Sequence, residues 1–176
     1  MSALVETLRN EEQIIGELEK LGVRYLSRQS EPGIVRVRPP EELLAELIRQ
    51  PSSRVRAALI ALLLARPDYA AHVPAALGLL TPGQAQTFKL FYTAAVCLQQ
   101  LYGRSLRVFL GVRWLELPDA FSAELGVSGS SPAARLRALA RLHAQRTGLQ
   151  LNWAGTYENA ARHLLRRWEM EKACDQ

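Results

Sequence analysis

Four arginines, Arg135, Arg137, Arg141 and Arg146, fall within one stretch, Ser131 to Gly148, that contains no acidic residue. Their chemistry is charge: a guanidinium stays protonated at neutral pH and binds phosphate or carboxylate oxygens with a planar fork of donors. Arg137 and Arg141 stand four residues apart, so on a helix two like charges become neighbours, at a cost of roughly a few tenths of a kcal/mol. Something outside that helix is therefore expected to neutralise them: nucleic-acid phosphates, an acidic protein partner, or a Glu on a neighbouring helix of the same chain. No other chemistry stands out. There is no Ser/His/Asp arrangement, no HExxH, no GxSxG and no CxxC, and Cys97 and Cys174 have neither metal-ligand spacing nor a disulfide framework. The sequence implies no cofactor and no bound metal.

Any acid–base reading must use one of three histidines. Arg137 and His143 have an Arg-x₅-His spacing that resembles the signature of helical HEPN ribonucleases, and Arg66 and His72 repeat it. Helical geometry counts against this resemblance, because six residues at 3.6 per turn place the two side chains about 120° apart. His143 falls on the apolar face with Leu136 and Leu139, and Ala138 stands where those enzymes carry a polar residue beside the Arg. A core histidine is the expectation.

The elements that must position these residues read as helices. Leu and Ala dominate the 176 residues and β-branched residues are sparse. The centre is Ser53–Arg66, apolar on every side and so expected to be buried on every side, yet shorter than the ~20 residues a membrane span needs. Before it, Ser2 caps an amphipathic helix ending at Gly22, and a helix runs from Glu41 to Gln50 behind Pro39-Pro40. Between these, 23–28 and 34–38 alternate around Glu31-Pro-Gly33, which predicts a small β-hairpin whose Arg24, Arg28, Arg36 and Arg38 form either a nucleic-acid wing or a charged, solvated edge. After the centre, Asp68–Leu80 is helical with a break near Pro74. Thr81-Pro-Gly-Gln84 is a capping box that starts a helix to Tyr102. Its stripe Gln86, Lys89, Thr93 and Gln100 suits a half-buried contact. A helix over 132–147 follows the 126–131 loop, and Thr156 caps the last helix, where Arg162 pairs with Glu158 and Arg166 with Glu169. No fixed repeat period appears. The expected fold is all-α, an irregular multi-helix bundle with a small N-terminal β-hairpin, divided into a 1–40 appendage and a 41–176 bundle.

The net charge of +5 lies entirely in the second half, and 19 of the 22 basic residues are Arg. The opening residues, MSALVETLRNEEQ, are acidic and amphipathic, unlike a signal or transit peptide, so a cytoplasmic protein with no membrane role is expected. Four stretches, SSRVRAALIALLLARPDYA, FYTAAVCLQQLYG, LPDAFSAELG and LNWAGTYENAARHLLRR, resemble a group of little-studied bacterial helical proteins associated with genes for nucleotidyltransferase-type toxins. The resemblance spans about residues 40–170 and implies a non-enzymatic partner or antitoxin role; it carries over no functional residue. Three functional expectations follow. The first is a helical binding protein that engages a protein partner as an antitoxin-like or defence-system subunit through Arg135, Arg137, Arg141 and Arg146. The alternatives are a nucleic-acid binder using the same basic helix and a HEPN-like ribonuclease.

Overall fold

A helix with no polar face must be wrapped by others, and the chain is built around one such helix. The computed structural model describes residues 2–24, 35–149 and 151–175. Within them lie nine α-helices and no strand. The central helix, α3 (Ser53–Ala65), buries Val55 and every residue from Ala57 to Ala65. Arg56, half-buried, donates to the carbonyls of Gln50 and Pro51 at 2.7 and 3.0 Å and so holds the turn that leads into α3. The wrapping helices are α2 (Pro40–Arg49), α5 (Pro82–Leu101) and α9 (Trp153–Cys174), each packed against α3.

Helix ends follow local chemistry. Thr81 caps α5 with both halves of the capping box: its hydroxyl accepts from the Gln84 N–H, and the Gln84 side chain accepts from the Thr81 N–H. The break ahead of it is a 3₁₀ turn (Pro67–His72) running into a short α4 (Val73–Gly78), with Pro74 in the first turn as its missing N–H requires. Two short helices, α6 (Gly103–Leu110) and α7 (Ser122–Leu125), flank an extended run. The helix that carries the arginine stripe, α8 (Pro132–Thr147), is capped by Ser131, whose Oγ accepts from the Ala134 N–H at 3.1 Å, and is closed by Gly148 at φ 64°. It lies against α5 and α9.

Three expectations need correction. The last helix begins at Trp153 under Asn152, not at Thr156: the Asn152 side chain accepts from the Gly155 N–H at 2.9 Å, and the Thr156 hydroxyl donates back to the Asn152 carbonyl. Gly155 is needed there, since a Cβ would stand 2.7 Å from Asn152 Nδ2. Residues 25–34 of the expected hairpin lie outside the described residues, and the flanks that are described, 23–24 and 35–39, form no strand. Their ladder groups are engaged elsewhere. The Val23 N–H closes the end of α1 (Ser2–Lys20) on the Leu18 carbonyl at 2.8 Å, and the Arg38 N–H is held by the Glu17 carboxylate at 2.9 Å. Of the expected wing, Arg24 pairs with Glu171 at 3.0 Å and Arg38 turns inward onto Glu17 and Asn10, so both act as tethers. Finally, Arg166 is exposed and has no partner among the described residues, while its neighbour Arg167 meets Glu171 at 3.7 Å.

Glu17 is fully buried, and burial holds its carboxyl above the usual carboxylate range although the Arg38 N–H and charge pull it down. With Ile14, Ile15 and Leu18 it fixes the second half of α1 to the same apolar cluster that holds α2 and α3. Its network continues through Asn10, which donates to Glu46 at 2.7 Å.

Candidate partner-binding groove

The four arginines of α8 do two different jobs. Helix geometry distributes them over the polar arc, and only those near α5 and the 117–122 segment find partners. Arg135 is mostly covered: it donates to the Asp119 carboxylate, to Ser122 Oγ at 2.7 Å and to Gln100 at 3.3 Å. Arg146 donates to Gln86 at 2.7 Å across 60 residues of sequence. The polar stripe of α5 therefore meets partners within the chain: Gln86 and Gln100 receive these two arginines, Lys89 pairs with Glu124, and Thr93 is buried with its hydroxyl donated to the Lys89 carbonyl. Sequence periodicity shows which residues share a helix face, but not which distant helix will cover it.

Arg137 and Arg141 are left over. Both are exposed, and neither has an ion-pair or hydrogen-bond partner among the described residues. They rim a shallow groove of about 310 Å³ whose floor is Ala140, Ala144, Leu151 and Trp153. Leu149 and Leu151, about half exposed, extend the apolar surface at the α8–α9 turn. An apolar floor under two unpaired cations suits a ligand with carboxylates beside an apolar anchor.

Beneath the groove the wall is rigid. Trp153 stacks on the His143 ring with centroids 3.6 Å apart and planes 14° from parallel, and Phe91 meets the imidazole edge-on at 5.4 Å. His143 Nδ1 and the Tyr157 hydroxyl are hydrogen-bonded at 2.5 Å. Burial lowers the His143 pKa to about 4, with the nearby positive charges of Arg56 and Arg146 adding to the effect, so the ring is neutral at physiological pH. Burial likewise raises Tyr157. With 2% of its surface exposed, His143 does not reach a substrate, and Arg137 leaves the helix about 120° away from it, on the exposed face. The second Arg-x₅-His copy is also occupied: Arg66 is bidentate on Asp68 at 2.9 and 2.7 Å, and His72 lies 3.4 Å from Glu41.

Among the described residues no group of three or more Asp, Glu, His or Cys is arranged to hold a metal, and no helix is long and apolar enough to cross a membrane. Cys97 is buried and its thiol is pushed up by that burial, which removes it from thiolate chemistry at neutral pH. Fold and site together define an irregular all-α bundle that presents a cation-rimmed apolar groove between α8 and α9. No protein-family model, curated protein or solved structure matches the chain.

Proposed function

We propose that the chain is a non-enzymatic binding protein whose α8–α9 groove receives an acidic segment of a protein partner with an apolar side chain at its centre. The observation that carries this reading is the division of the stripe. Arg135 and Arg146 hold α8 to the bundle, whereas Arg137 and Arg141 keep unpaired charge beside an apolar floor. Leaving two like charges adjacent and unneutralised on a helix costs stability without a folding benefit, which is consistent with a role in binding. The resemblance to proteins associated with toxin genes supports an antitoxin-like or defence-system setting, and the lack of a membrane-spanning helix among the described residues is compatible with a cytoplasmic location.

The test is a comparison of two double variants in a pull-down followed by a titration with the purified partner. Arg137→Glu/Arg141→Glu is expected to lose the partner, and Arg162→Glu/Arg166→Glu on α9 to keep it. Normal binding by the first variant overturns the assignment of the groove. Nucleic acid is the competing ligand, and salt separates the two. With two free arginines contacting phosphates, binding to duplex DNA falls with a log–log salt slope of about −2. A mobility shift with that slope, abolished by Arg137→Glu/Arg141→Glu, would replace the protein-partner reading.

A further inference from the structure

We infer that the chain associates with itself, the exposed apolar stripe of α1 on one copy seating on the α6 patch of another. Two uncovered faces of opposite charge carry this. The apolar seam of α1 is buried at Ile14, Ile15 and Leu18 but continues beyond the bundle edge at Leu4 and Leu8, which are 71% and 49% exposed. Leu4, Leu8 and Ile15 follow one another at helical spacing on a single face, so the outer half is a core-type surface that no described residue covers. Glu11 and Glu12 flank that face at three and four residues from Leu8, and neither has an ion-pair partner among the described residues.

The second face lies on α6 and the turn after it. Val108 on α6 and Val112 after it are exposed, Val108 at 65% and Val112 completely, and Gly111 at φ 54° bends the backbone just before Val112. Around them stand Arg104, Arg107 and Arg113. Arg107 lies over the Trp114 ring, 4.7 Å from its centroid, while Arg104 and Arg113 are unpaired among the described residues. One face is apolar with two acids, and the other is apolar with three arginines against the single Glu116 beside Arg104 and Arg107, so each keeps an excess of the charge the other attracts.

Within one copy the two faces stand apart. The C-terminal end of α1 touches α9, where the Trp168 indole donates to the Gly22 carbonyl at 3.3 Å and packs against Phe109 of α6. The 16 residue steps of α1 from Lys20 back to Leu4 then carry Leu4 about 24 Å away. A copy cannot bring its own two faces together, whereas a second copy can: a two-fold arrangement pairs each face with its unlike partner twice, and a head-to-tail arrangement pairs it once at each step. A two-fold contact stops at the dimer, and a head-to-tail contact gives a ring where the rotation closes and a filament where it does not.

Sedimentation of the full chain from about 1 μM to about 1 mM tests this, the range in which small interfaces associate. The mass is expected to rise with concentration and to fall back as salt screens the charges. Leu4→Ser/Leu8→Ser and Val108→Ser/Val112→Ser are each expected to be monomeric alone. Mixed in equal amounts, they form a dimer and nothing larger, because each retains one intact face. As a check that does not remove apolar surface, Glu11→Lys/Glu12→Lys is expected to weaken association about tenfold, and adding Arg104→Glu/Arg113→Glu to the same chain to restore it. A wild-type chain that stays monomeric throughout overturns the inference. So does a serine variant that still assembles alone, which places the contact elsewhere, or a mixture of the two that does not dimerise.

Discussion

Acid should destabilise this protein through one histidine. His143 is neutral in the folded bundle, with its pKa lowered to about 4 from an ordinary 6.5, and Tyr157 bonds its Nδ1. As pH falls below 6.5 the unfolded chain takes up this proton first, so the unfolded state is favoured by the difference in bound protons. The contribution is fully present above about pH 6.5, declines through the interval, and is gone below about pH 4, where both states are protonated. At ~1.4 kcal/mol per pH unit the loss amounts to about 3 kcal/mol, a large part of the ~5–15 kcal/mol that holds a domain together. The perturbation is His143→Phe/Tyr157→Phe. It replaces both partners by apolar rings and leaves no unpaired polar group, a change that is near neutral at about pH 7. Urea unfolding of both proteins at about pH 7 and about pH 4.5 gives the comparison. Carboxylates common to both cancel in the difference, including Glu17, whose raised pKa has the opposite sense and adds stability as pH falls. The double variant is expected to lose about 2–3 kcal/mol less than the wild type on acidification. Equal losses would refute the reasoning and place the acid sensitivity in other groups.

The remaining predictions concern single contacts and are read by chemical or thermal denaturation. Arg135→Ala removes the bonds to Asp119, Ser122 and Gln100 and is expected to cost about 1–2 kcal/mol, whereas Arg137→Glu/Arg141→Glu should move stability by no more than about half a kcal/mol. Asn152→Ala removes the cap of α9 and should cost about 1 kcal/mol, with Thr156→Ala costing less because its hydroxyl only donates back to the Asn152 carbonyl. Leu62→Ala, at a fully buried position of α3, opens a cavity on a helix that is packed on all sides and should cost about 2–5 kcal/mol.

The parts of this fold that are local in sequence were legible in it. The apolar run of α3 and the Thr81–Gln84 box each contain their own cause, a burial pattern and a cap, and the structure has both. His143 belonged to the apolar face by spacing alone, and it is buried there. What spacing did not show was set by distant residues. Asp119 and Gln86, which claim Arg135 and Arg146, lie 16 and 60 positions away, and nothing on α8 distinguishes those two arginines from Arg137 and Arg141. The hairpin failed at its described flanks for a similar reason: alternation at 34–38 reads as a strand, but the buried Glu17 takes the Arg38 N–H that a ladder would need. At α9 the local signal for the earlier start lies in the sequence. Asn152, three residues before Gly155, is as good a cap as Thr156 and precedes the Trp that must be buried.

The enclosure of α3 also sets a timescale. Its backbone hydrogen bonds lie behind four neighbouring elements, so no fraying end or lifted loop brings solvent to the amides between Leu59 and Leu64. Those amides exchange with deuterium only when the whole bundle opens, and their protection reports the global unfolding free energy directly. The first turns of α1, with Leu4 and Leu8 outside the bundle, exchange through local opening that leaves the rest intact. A single labelling experiment therefore yields two clocks from one chain. The slow one, in α3, measures how long the protein stays folded, and the fast one, in α1, measures how readily its leading end lifts from the surface.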